Sequence, residues 1–196
     1  METATQPGTV WWRQLTPEWK QALAEAYFHH SGTPAETQIR DLFETPALRL
    51  TGPEAPYPNM SVKLKDLSGL KVLTNLEVLV VTHHGIETIN ELSGLYRMKS
   101  LFVHNNRLTS LNGVESMREL EQLYAQCNQI GSLAPVQSLI HLKQLYVSTN
   151  LLTSLDGLTE EHADTLEMFI CKPNQSLKQK EMLRVERELG IRCKGG

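Results

Sequence analysis

His83, His104 and Cys127 recur at nearly equal intervals along the middle of the chain, and imidazole and thiolate are the donors that bind zinc-type ions or build a thiol nucleophile. A single ion would need all its ligands at about 2.0–2.3 Å, and no fourth donor stands with these three, so neither a metal nor a cofactor is expected. Thiol catalysis at Cys127 would require His104 or His83 as its base and a cleft around them. P-loop, H-E-x-x-H, G-x-S-x-G and C-x-x-C signatures are all missing from the sequence, so no catalytic residue is named and the chain reads as non-enzymatic. A different chemistry is carried by Val80, Phe102, Tyr124, Tyr146 and Ile170, which are all large and apolar or aromatic and recur at a similar interval. Aromatic groups of this kind anchor protein interfaces when they are desolvated, and the alternative is that they only pack against one another across neighbouring strands, worth roughly 0.2–1 kcal/mol per pair.

Those intervals point to the elements that must hold the side chains in place. In SLFVHNNRLTSLNGV, Ser100 to Val114, apolar residues recur too often for one face of a helix and too irregularly for a strand. The mismatch disappears at a longer period. Leu76, Met98, Leu120 and Leu142 are spaced by 22 residues, and Leu166 follows two residues late. Further slots repeat in step: Leu79, Leu101, Leu123, Leu145 and Phe169, then Val81, Val103, Ala125, Val147 and Cys171. Each unit combines a short alternating strand with a return limb of turns or 3₁₀ pieces, and buries its apolar side by stacking on its neighbours.

A fourth slot holds Asn106, Asn128, Asn150 and Asn174, whose side chains can satisfy backbone groups left unpaired at the bend. They are expected to form a buried ladder. His84 takes this slot one unit earlier, where a looser turn is expected. Asn59-Met60-Ser61 and Asn174-Gln175-Ser176 match the glycosylation acceptor pattern but are read as coincidental, since Asn174 belongs to the ladder.

Equivalent residues of stacked units lie about 4.8 Å apart, so the outward slots become rows across a concave sheet. The aromatic row is flanked by Glu77, Lys99, Glu121, Lys143 and Glu167, alternating in sign, a pattern that stabilises neighbouring strands modestly. On its other side stand Thr82, His104, Gln126, Ser148 and Lys172, with His83, Asn105, Cys127, Thr149 and Pro173 beside them. This is a hydrogen-bonding rim around an apolar centre. The partner-binding residues are therefore expected to be Val80, Phe102, Tyr124, Tyr146, Ile170, His83, His104 and Gln126.

Both ends depart from the repeat, as capping elements of a solenoid must. Thr16-Pro17-Glu18 opens a helix over about 16 to 30 with Trp19, Leu23, Ala26 and Tyr27 on its apolar face. His29 and His30 fall at its C-terminal end, where they face the helix dipole. Thr33 to Glu36 starts a second helix bearing Ile39, Leu42 and Phe43, and Ala47 to Leu50 makes a first strand. Trp11, Trp12 and Trp19 fill the cap core. The proline-rich stretch TGPEAPYPNM then opens a degenerate unit with a poor strand. Ser176 to Gln179 begins a last helix with Leu177, Met182, Val185 and Leu189, stopped by Gly190, and Ile191 and Cys193 pair with the final rung.

Residues 64 to 177 resemble the 22-residue leucine-rich repeats of bacterial internalins and of the phosphatase-regulatory class. The resemblance implies an α/β solenoid with short parallel strands on the concave face, 3₁₀ and turn segments on the convex face, and helical caps at both ends. The divisions expected are an N-terminal helical cap, 1–53, leucine-rich repeats, 54–175, and a C-terminal helical cap, 176–196. Such scaffolds host many partners, so a protein or peptide partner is expected and its identity is open.

A net charge of −3, with 40% hydrophobic and 21% charged residues, makes no electrostatic case for nucleic acid or an anionic membrane. METATQPGTVWWRQ lacks the pattern of an export signal, and three cysteines at irregular spacing suit a reducing compartment, so a cytoplasmic protein is expected. A monomer is favoured over a dimer, with self-association through the capping helices as the alternative.

Overall fold

The computed structural model of the chain describes residues 7–195. Seven parallel strands lie side by side in sequence order: β1 (Ala47–Thr51), β2 (Val78–Thr82), β3 (Ser100–Phe102), β4 (Gln122–Tyr124), β5 (Gln144–Tyr146), β6 (Met168–Lys172) and β7 (Lys194–Gly195). Register follows the repeat, with Leu79 beside Leu101, Leu101 beside Leu123 and Leu123 beside Leu145. Parallel neighbours require a crossover, and 3₁₀ segments at Ser68–Leu70, Asn90–Leu92 and Ala134–Ser138 lie on the return limbs. Leucines at both ends of each unit meet in one continuous core in which Leu79, Leu101, Leu123, Leu145 and Leu142 have no exposed surface.

The asparagine ladder forms by repetition of one bonding scheme. Asn128 donates to Val103 O and Ala125 O, both at 3.0 Å, and accepts from Leu108 N–H at 2.9 Å. Asn150 repeats this with Ala125, Val147 and Ile130, and Asn174 with Val147, Cys171 and Leu152. Asn106 makes the same contacts to Val81 and Val103 but is only half-buried. His84 does not loosen its turn. Its Nδ1 accepts from Leu64 N–H at 3.2 Å and its Nε2 faces Leu50 O at 3.3 Å, so a neutral imidazole bridges two rungs as the asparagines do. Burial pushes its pKa down to about 4.

Helices close both ends. Thr16 caps α2 (Pro17–Leu23; α1 is Pro7–Gln14) by accepting from Trp19 N–H, and the expected long helix ends instead in a π-helical turn, Ala24–Phe28. His29 stops that turn in a left-handed conformation, with its Nδ1 at 3.1 Å from Glu25 O. In α3 (Glu36–Glu44) Gln38, rather than a Thr33 box, caps the helix by accepting from Ala35 N–H. Trp11, Trp12 and Trp19 are all buried, with Trp11 edge-on to Phe43 and Trp12 edge-on to Phe28.

β1 pairs directly with β2, so the sheet begins on the N-terminal side of residue 53. Among the described residues no separate strand forms in the proline-rich stretch. It is a loop pinned by Asn59, which accepts from Thr51 N–H and donates to Arg49 O, each at 2.7 Å. At the far end α4 (Glu160–Thr165) precedes β6, and α5 (Gln179–Glu188) follows it with Lys178 rather than Ser176 at its cap. Gly190 turns the chain at φ 71°, and the pairing strand β7 lies just beyond the buried Ile191 and Cys193.

Candidate functional site

Strand alternation sends Leu79, Leu101, Leu123 and Leu145 into the core and the residues on either side of them outward. Three outward rows result. The central row reads Arg49, Val80, Phe102, Tyr124, Tyr146, Ile170 and Lys194 from β1 to β7. On one side lie Ala47, Val78, Ser100, Gln122, Gln144 and Met168, and on the other Thr51, Thr82 and, continuing past the short strands, His104, Gln126, Ser148 and Lys172.

In the central row the strand spacing of about 4.8 Å brings neighbouring rings into contact. Phe102 and Tyr124 have centroids 4.7 Å apart, and Tyr124 stacks on Tyr146 at 4.2 Å with an interplanar angle of 11°. The three rings thus form a continuous column, half-buried and half open. Ring faces are turned to each other, which stabilises the sheet by about 0.5–1.5 kcal/mol per pair beyond burial and leaves edges and hydroxyls for other contacts. Tyr124 OH donates to Gln144 Oε1 at 2.5 Å, and partial burial beside Tyr146 raises its pKa. Val80 is also half-buried, whereas Ile170, outward in the same row and outside the hydrophobic core cluster, is only 6% exposed and so offers little surface to a partner.

The polar rim is narrower than the sequence implies, since Thr82 and Ser148 are buried. His104 and Gln126 stay partly open. His83 meets His104 edge to face with centroids 5.6 Å apart, and desolvation, with His83 nearby, lowers the His104 pKa. His104 Nδ1 lies 2.7 Å from Asn105 Nδ2. Gln126 Oε1 and His83 Nδ1 are shielded from solvent without a hydrogen-bond partner among the described residues.

The neighbouring slot of His83, Asn105, Cys127 and Thr149 shares a backbone feature that residue type alone did not announce. All four adopt left-handed φ between 54° and 61°, so the slot is first a turn position. Cys127 is partly exposed there, while Cys171 and Cys193 are buried thiols. The alternating row beyond the sheet forms ion pairs, Lys99 with Glu77 and Lys143 with Glu121, each at 2.9 Å.

Sequence reasoning missed the row of Ser100, Gln122 and Gln144, because polar residues beside a strand look like ordinary solvated positions. It also missed that Arg49 and Lys194 end the aromatic row, which follows only from the pairing of β1 and β7 with the sheet. Among the described residues no helix is long and apolar enough to cross a membrane.

Comparison with known proteins bears on the scaffold. A family model of leucine-rich repeats in two copies matches residues 118–160. No curated protein matches the sequence. Among solved structures, a leucine-rich repeat protein of Leptospira interrogans is similar with a TM-score of 0.64 and 21% identity, over 83% of this chain and 40% of that one. The leucine-rich repeat ectodomain of the Arabidopsis thaliana membrane receptor kinase GASSHO1/SCHENGEN3, solved in complex with Casparian strip integrity factor 2, gives 0.52 and 19% over 72% and 17% of the two chains. An internalin of Listeria monocytogenes gives 0.47 and 19% over 74% and 50%. The chain therefore spans half or less of each of these proteins. With the 22-residue period, the in-register parallel sheet and the asparagine ladder, the leucine-rich repeat match over residues 118–160 and the likeness to the Leptospira protein give the chain the α/β solenoid fold of leucine-rich repeats.

Proposed function

We propose that the chain is a non-enzymatic module that binds a partner protein on its concave sheet through Phe102, Tyr124 and Tyr146, with Val80 at one margin and His83, His104 and Gln126 along the rim. The observation that carries this reading is the half-open column of three rings at the centre of the sheet. Stacking across the strands stabilises the sheet whether or not the face is covered, but the rings' open edges add nothing until a partner desolvates them, when a Tyr or Phe cluster can contribute 2 kcal/mol or more to an interface, roughly the threshold for a hot spot. The shielded and unpartnered Gln126 Oε1 favours the same reading, because a donor on an incoming partner would satisfy it. Leucine-rich repeat domains are generally protein-interaction modules, which agrees with a protein partner without naming one. In this account the module acts as a monomer in the cytoplasm, presents a preformed surface and needs no cofactor.

The test is to immobilise the wild-type chain and the Phe102→Asp, Tyr124→Asp variant and compare what each retains from native lysate by mass spectrometry. A protein held by the wild type and lost from a variant that still melts cooperatively supports the reading. Retention of the same proteins by both would refute it.

A further inference from the structure

The concave face is short of negative charge and rich in donors. None of the described positions in its three rows is Asp or Glu, although acidic residues outnumber Lys and Arg by 22 to 19 in the chain. Exposed cations stand at both ends of the sheet instead: Arg49 on β1, whose guanidinium also donates to Tyr57 O, Lys172 on β6 and Lys194 on β7. Lys194 Nζ approaches Met168 Sδ at 3.6 Å, which places it on the concave side. Of the three carboxylates on the flanking row, Glu77 and Glu121 are held by Lys99 and Lys143, and Glu167, exposed at the β6 end, has no ion-pair partner among the described residues and lies outside the three rows.

Between the cations, hydrogen bonding is lopsided. Gln122 Oε1 accepts from Ser100 Oγ at 2.8 Å and Gln144 Oε1 accepts from Tyr124 OH at 2.5 Å. Both amide oxygens are thereby engaged within the face, one by its own row and one by the central row, and both amide NH₂ groups remain without an acceptor among the described residues. An occupant matched to this face brings carbonyl acceptors to its centre and carboxylates to its ends.

Resting on the concave-face reading above, we propose that the occupant is an extended acidic segment of the partner, lying along the aromatic column with carboxylates directed at Arg49 on one side and Lys172 and Lys194 on the other. Six strand intervals of about 4.8 Å separate β1 from β7, about 29 Å, which an extended chain at about 3.3 Å per residue crosses in about nine residues. Main-chain carbonyls accept from the amides of Gln122 and Gln144, and a main-chain N–H can reach Gln126 Oε1. The charge at the ends sets orientation and association rate, and the ring edges supply the apolar contact.

A randomised nine-residue peptide library displayed on phage is the probe. It is selected in parallel on the wild type, on an Arg49→Glu, Lys172→Glu, Lys194→Glu variant and on the Phe102→Asp, Tyr124→Asp variant. All three reversed side chains are exposed, and thermal melting confirms that each bait is folded. The expected result is that peptides selected by the wild type carry a several-fold excess of Asp and Glu over the starting library. That bias should vanish or invert on the charge-reversed bait, and synthesised winners should bind it at least tenfold more weakly. Peptides that depend on Phe102 and Tyr124 but show no acidic bias would overturn the acidic segment while leaving the concave site standing. Peptides indifferent to both variants, or no selection on the wild type, would overturn both.

Discussion

His84 is a ladder residue that can take up a proton, and its two bonds require the neutral ring. A second proton on the imidazole would set an N–H against the Leu64 N–H. The group's pKa is about 4 when folded and near 6.5 when unfolded, so the unfolded chain binds the extra proton first as pH falls. Its contribution to stability is complete above about pH 6.5 and is lost as pH drops towards 4, by about 3 kcal/mol in total. His162, fully buried with Nδ1 accepting from Thr159 N–H, is shifted down by desolvation and adds to the loss in the same direction. Denaturant unfolding followed from pH 7 to pH 4 should therefore show a marked fall in the wild type and a shallower one in His84→Asn. The ladder amides give a pH-independent counterpart: Asn128→Ala removes three hydrogen bonds and leaves the Leu108 N–H unpaired, while Val103 O and Ala125 O keep Asn106 and Asn150, and it should cost about 1–3 kcal/mol, against well under 1 for Asn105→Gly, whose φ of 55° suits glycine. The ladder was legible because asparagine repeats with the leucines. The role of His84 was not, since nothing in a single histidine tells whether its two nitrogens will meet a donor and an acceptor.

Elements at the ends are held by close approach rather than by repeat pairing. Trp19 of α2 lies on the 3₁₀ turn of the first unit, donates from Nε1 to Asp66 Oδ1 at 3.1 Å, and sits so close to Gly69 that an added Cβ would be 2.5 Å from the indole. Gly69→Ala should then push the ring away, cost about 1–3 kcal/mol by overpacking, and shift the tryptophan fluorescence to longer wavelength. α5 is tied to the last repeat differently, with Glu181 accepting from Leu155 N–H at 2.9 Å while pairing with Arg184. Within the repeats the left-handed turn slot offers the opposite sign of change. Thr149, a β-branched residue at φ 54°, is strained there, and Thr149→Asn should stabilise the chain by about 0.5–1 kcal/mol, raising the melting temperature. Periodicity exposed the strands and the return limbs, because their leucines must stack in step. It could not expose α1 or the π-helical turn, whose positions depend on contacts of Trp11 and Trp12 with Phe43 and Phe28 across the cap.

For the whole molecule, in-register pairing is what turns isolated residues into surfaces. One residue from each strand, spaced by the sheet itself, makes the column of Phe102, Tyr124 and Tyr146, and the sequence could place these rings in one row because the repeat fixes register. It could not place Arg49 and Lys194 at the ends of that row, since β1 joins outside the 22-residue period and β7 comes from the C-terminal tail. If the module works as a monomer, light scattering after size exclusion should give one mass independent of concentration, and a concentration-dependent dimer would redirect attention to the capping helices. The central claim is that the concave column, and no other part of the surface, meets the partner. A photo-cross-linking aromatic residue placed at Tyr146, and in a separate variant at Tyr96, an exposed ring outside the sheet, locates the contact directly. The account predicts that one partner is captured from native lysate through position 146 and is absent from the cross-linked products of position 96. Capture of that partner through position 96, with or without position 146, would contradict it.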